Sequence, residues 1–251
     1  MQAITNYVFS TYIIQLAVSV ALLTGSAITP TLGSFIGAKD IKKSRFIVSN
    51  VRELITFIAI LFGSLVILIN RDFIELWMGH KFYVGRYSNI LIVFSMVFLI
   101  LTRFEGQVED LSLKIKNKVI AGFILSIFSI LLGIIGFYLF QNRVEGLFLG
   151  ILIGRVALYF VFTNIVNKMI GITSNNIKFI YLLICLGILF GIENFLPVTT
   201  TWVAFISKLI IVFFMLVVLY FLIVFSKFNR RRILNVFINL DLKNLNSTLK
   251  K

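Results

Sequence analysis

The side chains able to do chemistry in this chain are few, and most stand in apolar company. Arg155 lies in the middle of "LGILIGRVALYF", and Lys208 lies near the start of the last apolar run. Arg52 and Glu53 sit about one turn inside the second such run. A charge held in hydrocarbon costs about 3 kcal/mol or more, so Arg155 must face protein or a water-filled cavity. Two roles are open to it: a cation on the path of an anionic substrate, or an arginine that snorkels or bonds helix carbonyls. Lys208 is close enough to its span end to snorkel to the headgroups, and is the weaker substrate-path candidate. Arg52 and Glu53 fit a positional role at the interface.

A polar stripe runs along the first apolar segment. At about 100° per residue, Thr11, Gln15, Ser19, Ser26 and Thr29 fall within an arc of about 80°. Such a stripe lines a hydrophilic cavity or forms a close helix–helix contact. Five polar positions on one face exceed what packing needs, which favours the cavity. Pro30, with Gly25, Gly33 and Gly37, either ends this helix before the basic loop or kinks it as a gate. Pro30 and Gly33 are the gate candidates. Glycines at 146, 150 and 154 recur every fourth residue, a spacing that permits close helix contact beside Arg155.

No enzyme and no cofactor are expected. Glu145 and Glu193 stand alone in short loops, while Glu105, Glu109 and Asp110 beside Arg103 and Lys114 read as a solvated charged turn. One histidine (His80) and one cysteine (Cys185) leave no disulfide framework and no Cys/His metal cluster. There is no Gly-rich phosphate loop and no Ser–His–Asp set.

The elements that must position these residues are apolar runs. Of the 251 residues 59% are apolar and 14% charged, against roughly 45–50% and 25% in soluble domains. Seven stretches approach the roughly 20 residues needed to cross a bilayer: about 7–32, 46–69, 88–102, 119–140, 147–167, 177–192 and 202–226. The fold class expected is therefore an all-α polytopic membrane protein with about seven transmembrane helices. Residues 1–226 form the membrane domain and 227–251 a basic tail. Apolar positions 233, 234, 236–238, 240 and 242 of that tail suggest an amphipathic helix on the membrane surface. Between the second and third spans, Trp77, Phe82, Tyr83 and Tyr87 mark an interfacial segment.

The net charge of +14 sits in short loops between apolar runs, which points to topology and anionic headgroups rather than nucleic acid. The loops after the first, third and fifth spans, together with the tail, hold seventeen lysines and arginines; the opposite side holds Arg71, Lys81, Arg86 and Arg143. Positive-inside bias places the C-terminus in the cytoplasm and, with seven spans, the N-terminus outside. A first span that enters from outside, with nothing before it, suggests a missing partner. Heavy use of Ile, Phe, Asn and Lys fits a low-GC bacterium.

Three stretches carry a family resemblance. "AITPTLGSFIGAKDIKKSRF" (27–46) resembles the span end of polysaccharide and lipid-linked oligosaccharide flippases: an apolar span closed by proline, small residues and a short charged loop. "LINRDFIELWMGHKFYVG" (68–85) resembles their next feature, a helix end with Leu–Trp–x–Gly followed by an aromatic pair. "EGLFLGILIGRVALYFVF" (145–162) resembles a later glycine-spaced span. The resemblance covers most of residues 5–170, and no motif is specific alone; their order and spacing carry it.

These proteins, of the O-antigen or teichoic-acid exporter type, belong to the multidrug/oligosaccharidyl-lipid/polysaccharide exporter superfamily, whose members have about twelve to fourteen spans in two six-helix lobes. The resemblance places this chain from the eighth span onward, a C-terminal portion with the same topology that the charges give. It implies flipping of a lipid-linked oligosaccharide across the bacterial cytoplasmic membrane for surface polysaccharide synthesis. It also implies a cavity lined by the first span and a truncated transporter or a separately encoded N-terminal half. The rival is a drug/ion antiporter of the same superfamily. That chemistry calls for intramembrane carboxylates, and only Glu53 comes near a span interior, which favours an anionic substrate. A non-transporting membrane subunit is the third class.

Overall fold

The computed structural model describes residues 2–113, 115–140, 143–172, 177–231 and 235, and the side chains of these apart from 2–4, 143 and 177–179. All regular structure among them is helical: α1 (Gln2–Gly37), α2 (Ile41–Trp77), α3 (Arg86–Asp110), α4 (Lys116–Leu139), α5 (Arg143–Ile170), α6 (Ile177–Ile192) and α7 (Trp202–Val224). Short 3-10 turns at His80–Phe82 and Glu193–Phe195 join α2 to α3 and follow α6. The chain is an all-α polytopic membrane protein.

Among the described residues, six helices are long and apolar enough to cross a bilayer: α1 to α5 and α7. The seventh expected span, α6, has 16 residues, about 24 Å at 1.5 Å per residue, short of the roughly 30 Å of hydrocarbon. The 3-10 turn after it extends its reach. The third span differs the other way, because α3 continues past the expected end at 102 to Asp110. Charges at 103, 105, 109 and 110 mask a helical core pattern: Leu101, Phe104, Glu105, Val108 and Glu109 are all buried and fall at i, i+3, i+4, i+7 and i+8. Glu105 and Glu109 are 2% and 1% exposed, which corrects their reading as a solvated turn. The apolar tail positions 233, 234, 236–238, 240 and 242 lie outside the described residues.

α2 is the centre of the bundle, packed by α1, α3, α6 and α7. α3 in turn packs on α1 and α5, and α5 carries α4. Val48, Ile55, Ile60 and Ile67 of α2 meet Met96 and Ile100 of α3, Leu186 of α6 and Leu216 of α7 in one buried cluster. The outward faces of α4 and α7 expose Phe123, Ile124 and Leu131, and Ile211, Phe214 and Val218. These faces meet the lipid bilayer.

Lipid supplies little hydrophobic drive between helices, so close packing and interhelical hydrogen bonds hold the bundle. α4 and α5 cross with backbone against backbone: a methyl added at Gly146 would collide with the Gly136 carbonyl, and one at Gly150 with the Gly133 backbone. Polar ties join the other pairs. Ser64 and Tyr220 hydroxyls bond at 2.6 Å between α2 and α7, and Asn70 of α2 donates to Asn89 of α3 at 2.8 Å.

α2 starts on Asp40, whose carboxylate accepts from the Lys43 N–H at 3.1 Å; that bond holds the carboxyl below its ordinary pKa. α2 ends at Trp77, which packs edge-on to Phe9 of α1. Gly79, at φ 98, then turns the chain where a side chain would be strained. Tyr83 is tucked into this return, where burial pushes its phenol pKa up.

Candidate functional site

α1, α3, α4 and α5 enclose a cleft in two compartments, one above the other along the bundle. The first, about 330 Å³, lies between α1, α3 and α5 and is lined by Thr11, Gln15, Ser19, Ser95 and Arg155 over walls of Met96, Phe148 and Ile151. The second, about 600 Å³, reaches towards the end of the bundle that carries Lys39, Lys42 and Lys43. Ser26, Arg103, Gln107, Asp110 and Lys118 line it. Arg155 and Leu99 border both compartments, so Arg155 stands at the waist between them.

The helical spacing of the α1 stripe is what presents it to this cleft. Thr11, Gln15 and Ser19 line the first compartment, and Ser26 the second. Each hydroxyl donates back to its own helix: Thr11 to the Val8 carbonyl (3.1 Å), Ser19 to Gln15 (2.9 Å), Ser26 to Leu22 (2.9 Å) and Thr29 to Gly25 (3.2 Å). Their oxygens remain acceptors for a ligand or water. Gln107 of α3 reaches over to the Ser26 hydroxyl at 3.4 Å.

Arg155 bonds a carbonyl of the neighbouring helix and also borders the cleft. Its Nη1 donates to the Ser95 carbonyl of α3 at 2.9 Å, fixing the side chain. The rest of the guanidinium borders the cleft, and among the described residues Arg155 forms no ion pair. Gly154 beside it faces Ser129 of α4 so closely that any Cβ would collide, which anchors α5 at this level. Arg103 borders the second compartment and is exposed. Lys118 is held by both oxygens of Asp110 (2.6 and 2.7 Å) and by the Gly106 carbonyl (2.9 Å). Three cations thus face one carboxylate in the cleft, an excess of positive charge.

Pro30 does not end its helix: α1 runs unbroken to Gly37. The proline withholds the N–H that would bond the Ser26 carbonyl, leaving a local weak point rather than a terminus. Pro30 and Gly33 line a shallow hollow with Ser26, Gln107 and Leu111, next to the mouth of the second compartment. Gly33 lies near enough to Leu111 that a Cβ would come within 3.3 Å of it.

Lys208 lies elsewhere. Its ammonium pairs with Asp72 of α2 at 2.8 Å and also donates to the Pro197 carbonyl at 3.2 Å; the Thr199 hydroxyl donates to the same carboxylate at 3.0 Å. This cluster ties α7 and the segment before it to α2, away from the cleft.

Sequence reasoning missed a buried polar node on the other face of α3. Arg52 grips both oxygens of Glu105 at 2.7 Å each and donates to Asn167 of α5 at 2.6 Å, joining α2, α3 and α5. Glu109, one turn on, has no side chain hydrogen-bonded to its carboxylate. The buried i, i+3, i+4 pattern of α3 was the available signal for both. Glu53 accepts from the Ser226 N–H and the Asn229 amide (3.1 and 2.7 Å), a positional role at the end of α7.

Comparison with protein-family models, with curated proteins and with solved structures finds no match to the chain.

Proposed function

We propose that the chain flips a lipid-linked oligosaccharide across the bacterial cytoplasmic membrane for surface polysaccharide synthesis, as the C-terminal portion of a flippase or beside a separately encoded N-terminal half. The observation that carries this reading is the cleft between the helices, with three cations, one carboxylate and an acceptor-rich stripe on α1. The phosphate or pyrophosphate of a carrier lipid supplies the negative charge that Arg155 and Arg103 lack among the described residues. Gln15, Ser19 and Ser26 offer hydrogen bonds that suit sugar hydroxyls and tolerate sliding, because none encloses a fixed geometry. The waist at Arg155 is where the two compartments meet, so a headgroup moving between them passes that guanidinium. In this reading the basic end of the bundle is cytoplasmic and the start of α1 lies outside.

The test is Arg155→Gln in the flippase as the cell assembles it, with any companion half present. Surface polysaccharide should disappear while the membrane content of the protein stays unchanged. A fall in protein abundance instead would assign Arg155 to holding α5 on α3. The DNA upstream of the Met1 codon tests the partial-transporter reading separately: about seven further spans in or out of frame support it, and an unrelated upstream gene argues against it.

A cation-coupled drug antiporter is the second reading, favoured by buried carboxylates that the sequence placed in a loop. Glu109 is 1% exposed, with no side chain hydrogen-bonded to its carboxylate and Lys118 as the opposing charge that acts on it, an arrangement that suits a proton or cation carrier. Drug-driven proton or sodium flux in proteoliposomes, abolished by Glu109→Gln, would select it over the flippase.

A further inference from the structure

Outside the cleft, the basic end of α7 builds a second site. After Val224 the chain turns at Ser226 into helix again, described from 227 to 231. That turn is fixed rather than free. The Ser226 hydroxyl accepts from the Asn229 N–H at 3.3 Å, and Asn229 donates to Asn50 (2.9 Å) and Glu53 (2.7 Å) of α2. Phe225 packs on Phe57 of α2 at 5.2 Å between ring centres.

The latch presents Lys227, Arg230 and Arg231 around a hollow of about 370 Å³ whose remaining walls are Phe221 and Leu222 of α7. Among the described residues none of these three cations forms an ion pair, and Arg230 Nε is buried without a hydrogen-bond acceptor. Below the hollow, Leu222, Val218 and Phe214 recur every fourth residue, each more than half exposed (54%, 60% and 62%). They form a continuous apolar track of about 12 Å down the span.

We propose that this hollow binds an anionic phospholipid, its phosphate on Lys227, Arg230 and Arg231 and an acyl chain along Leu222, Val218 and Phe214. A cluster of cations directly above a lipid-facing apolar track matches both halves of such a molecule, whereas a soluble anion would use only the cations. The inference needs only that the chain resides in a bilayer, so it stands or falls independently of any transport activity.

The full chain in nanodiscs of mixed phosphatidylglycerol and phosphatidylcholine, released for native mass spectrometry, tests it. The wild type should retain phosphatidylglycerol over phosphatidylcholine by about tenfold, given the attraction of each basic residue for anionic headgroups. The variant K227Q/R230Q/R231Q should retain both equally, and the loop variant K39Q/K42Q/K43Q should keep the preference. Should the triple variant fail to fold, Arg231→Gln, at an exposed position, should lower the enrichment alone. A wild type without preference, or a triple variant that keeps it, overturns the proposal. So does displacement of the lipid by millimolar glycerol phosphate, which would mark a phosphate site indifferent to the acyl chain.

Discussion

Arg52 and Glu105 meet with little water around them: their side chains are 18% and 3% exposed. Desolvating two charges costs several kcal/mol per ion, and the bidentate geometry with Asn167 offsets that cost without a large surplus. Removing one partner is a different matter, because it strands the other. Glu105→Ala should lower stability by about 3–5 kcal/mol, read as a drop in thermal unfolding temperature in detergent. The paired replacement R52M/E105L should cost much less, since it leaves no unmatched charge. Equal losses for both variants would show that packing volume, not charge, is what the node contributes. Arg155 belongs to the same scale: one carbonyl holds its side chain, and the rest of the guanidinium borders the cleft.

Among elements, the α4–α5 pair depends most on sequence detail. Its axes approach so closely that Gly133, Gly136, Gly146 and Gly150 touch through their backbones. Gly150→Leu should therefore split α4 from α5 and sharply reduce folded protein in the membrane. Gly122→Leu on α4, where a Cβ meets nothing within 4 Å, should leave it unchanged. Size-exclusion chromatography of the two purified variants separates the outcomes. Helix α3 shows how element ends escape a hydropathy reading. Its last two turns bury Glu105 and Glu109 on the core side while Arg103 and Asp110 are exposed along the cleft. Average hydropathy falls there although the buried face continues, so the periodicity, not the average, held the information. For α1 the stripe from Thr11 to Thr29 was legible because its spacing is fixed by local helix geometry.

On the scale of the molecule, the cleft is one-sided: α1, α3, α4 and α5 form it, while α6 and α7 pack on α2. Its polar lining comes from α1, α3, α4 and α5 alone. The two ends of the bundle also differ in charge, and the proposed orientation can be measured. With Cys185 replaced by serine, single cysteines at positions 39 and 81 should react with an impermeant maleimide from opposite faces of sealed vesicles. Labelling of both from the same face would refute the positive-inside assignment. Helical class, approximate spans, the basic bias of alternate loops and the polar face of α1 were determined by sequence alone, because each depends on composition or on the 3.6-residue period of one helix. The tertiary structure decided the rest. It set Arg155 at the waist of the cleft opposite Gln15 and Ser19, took Lys208 to Asp72 across 136 residues, and took Arg52 to Glu105 across 53. Which side chains meet across such distances is fixed by how helices pack, and no periodicity within a single helix encodes it.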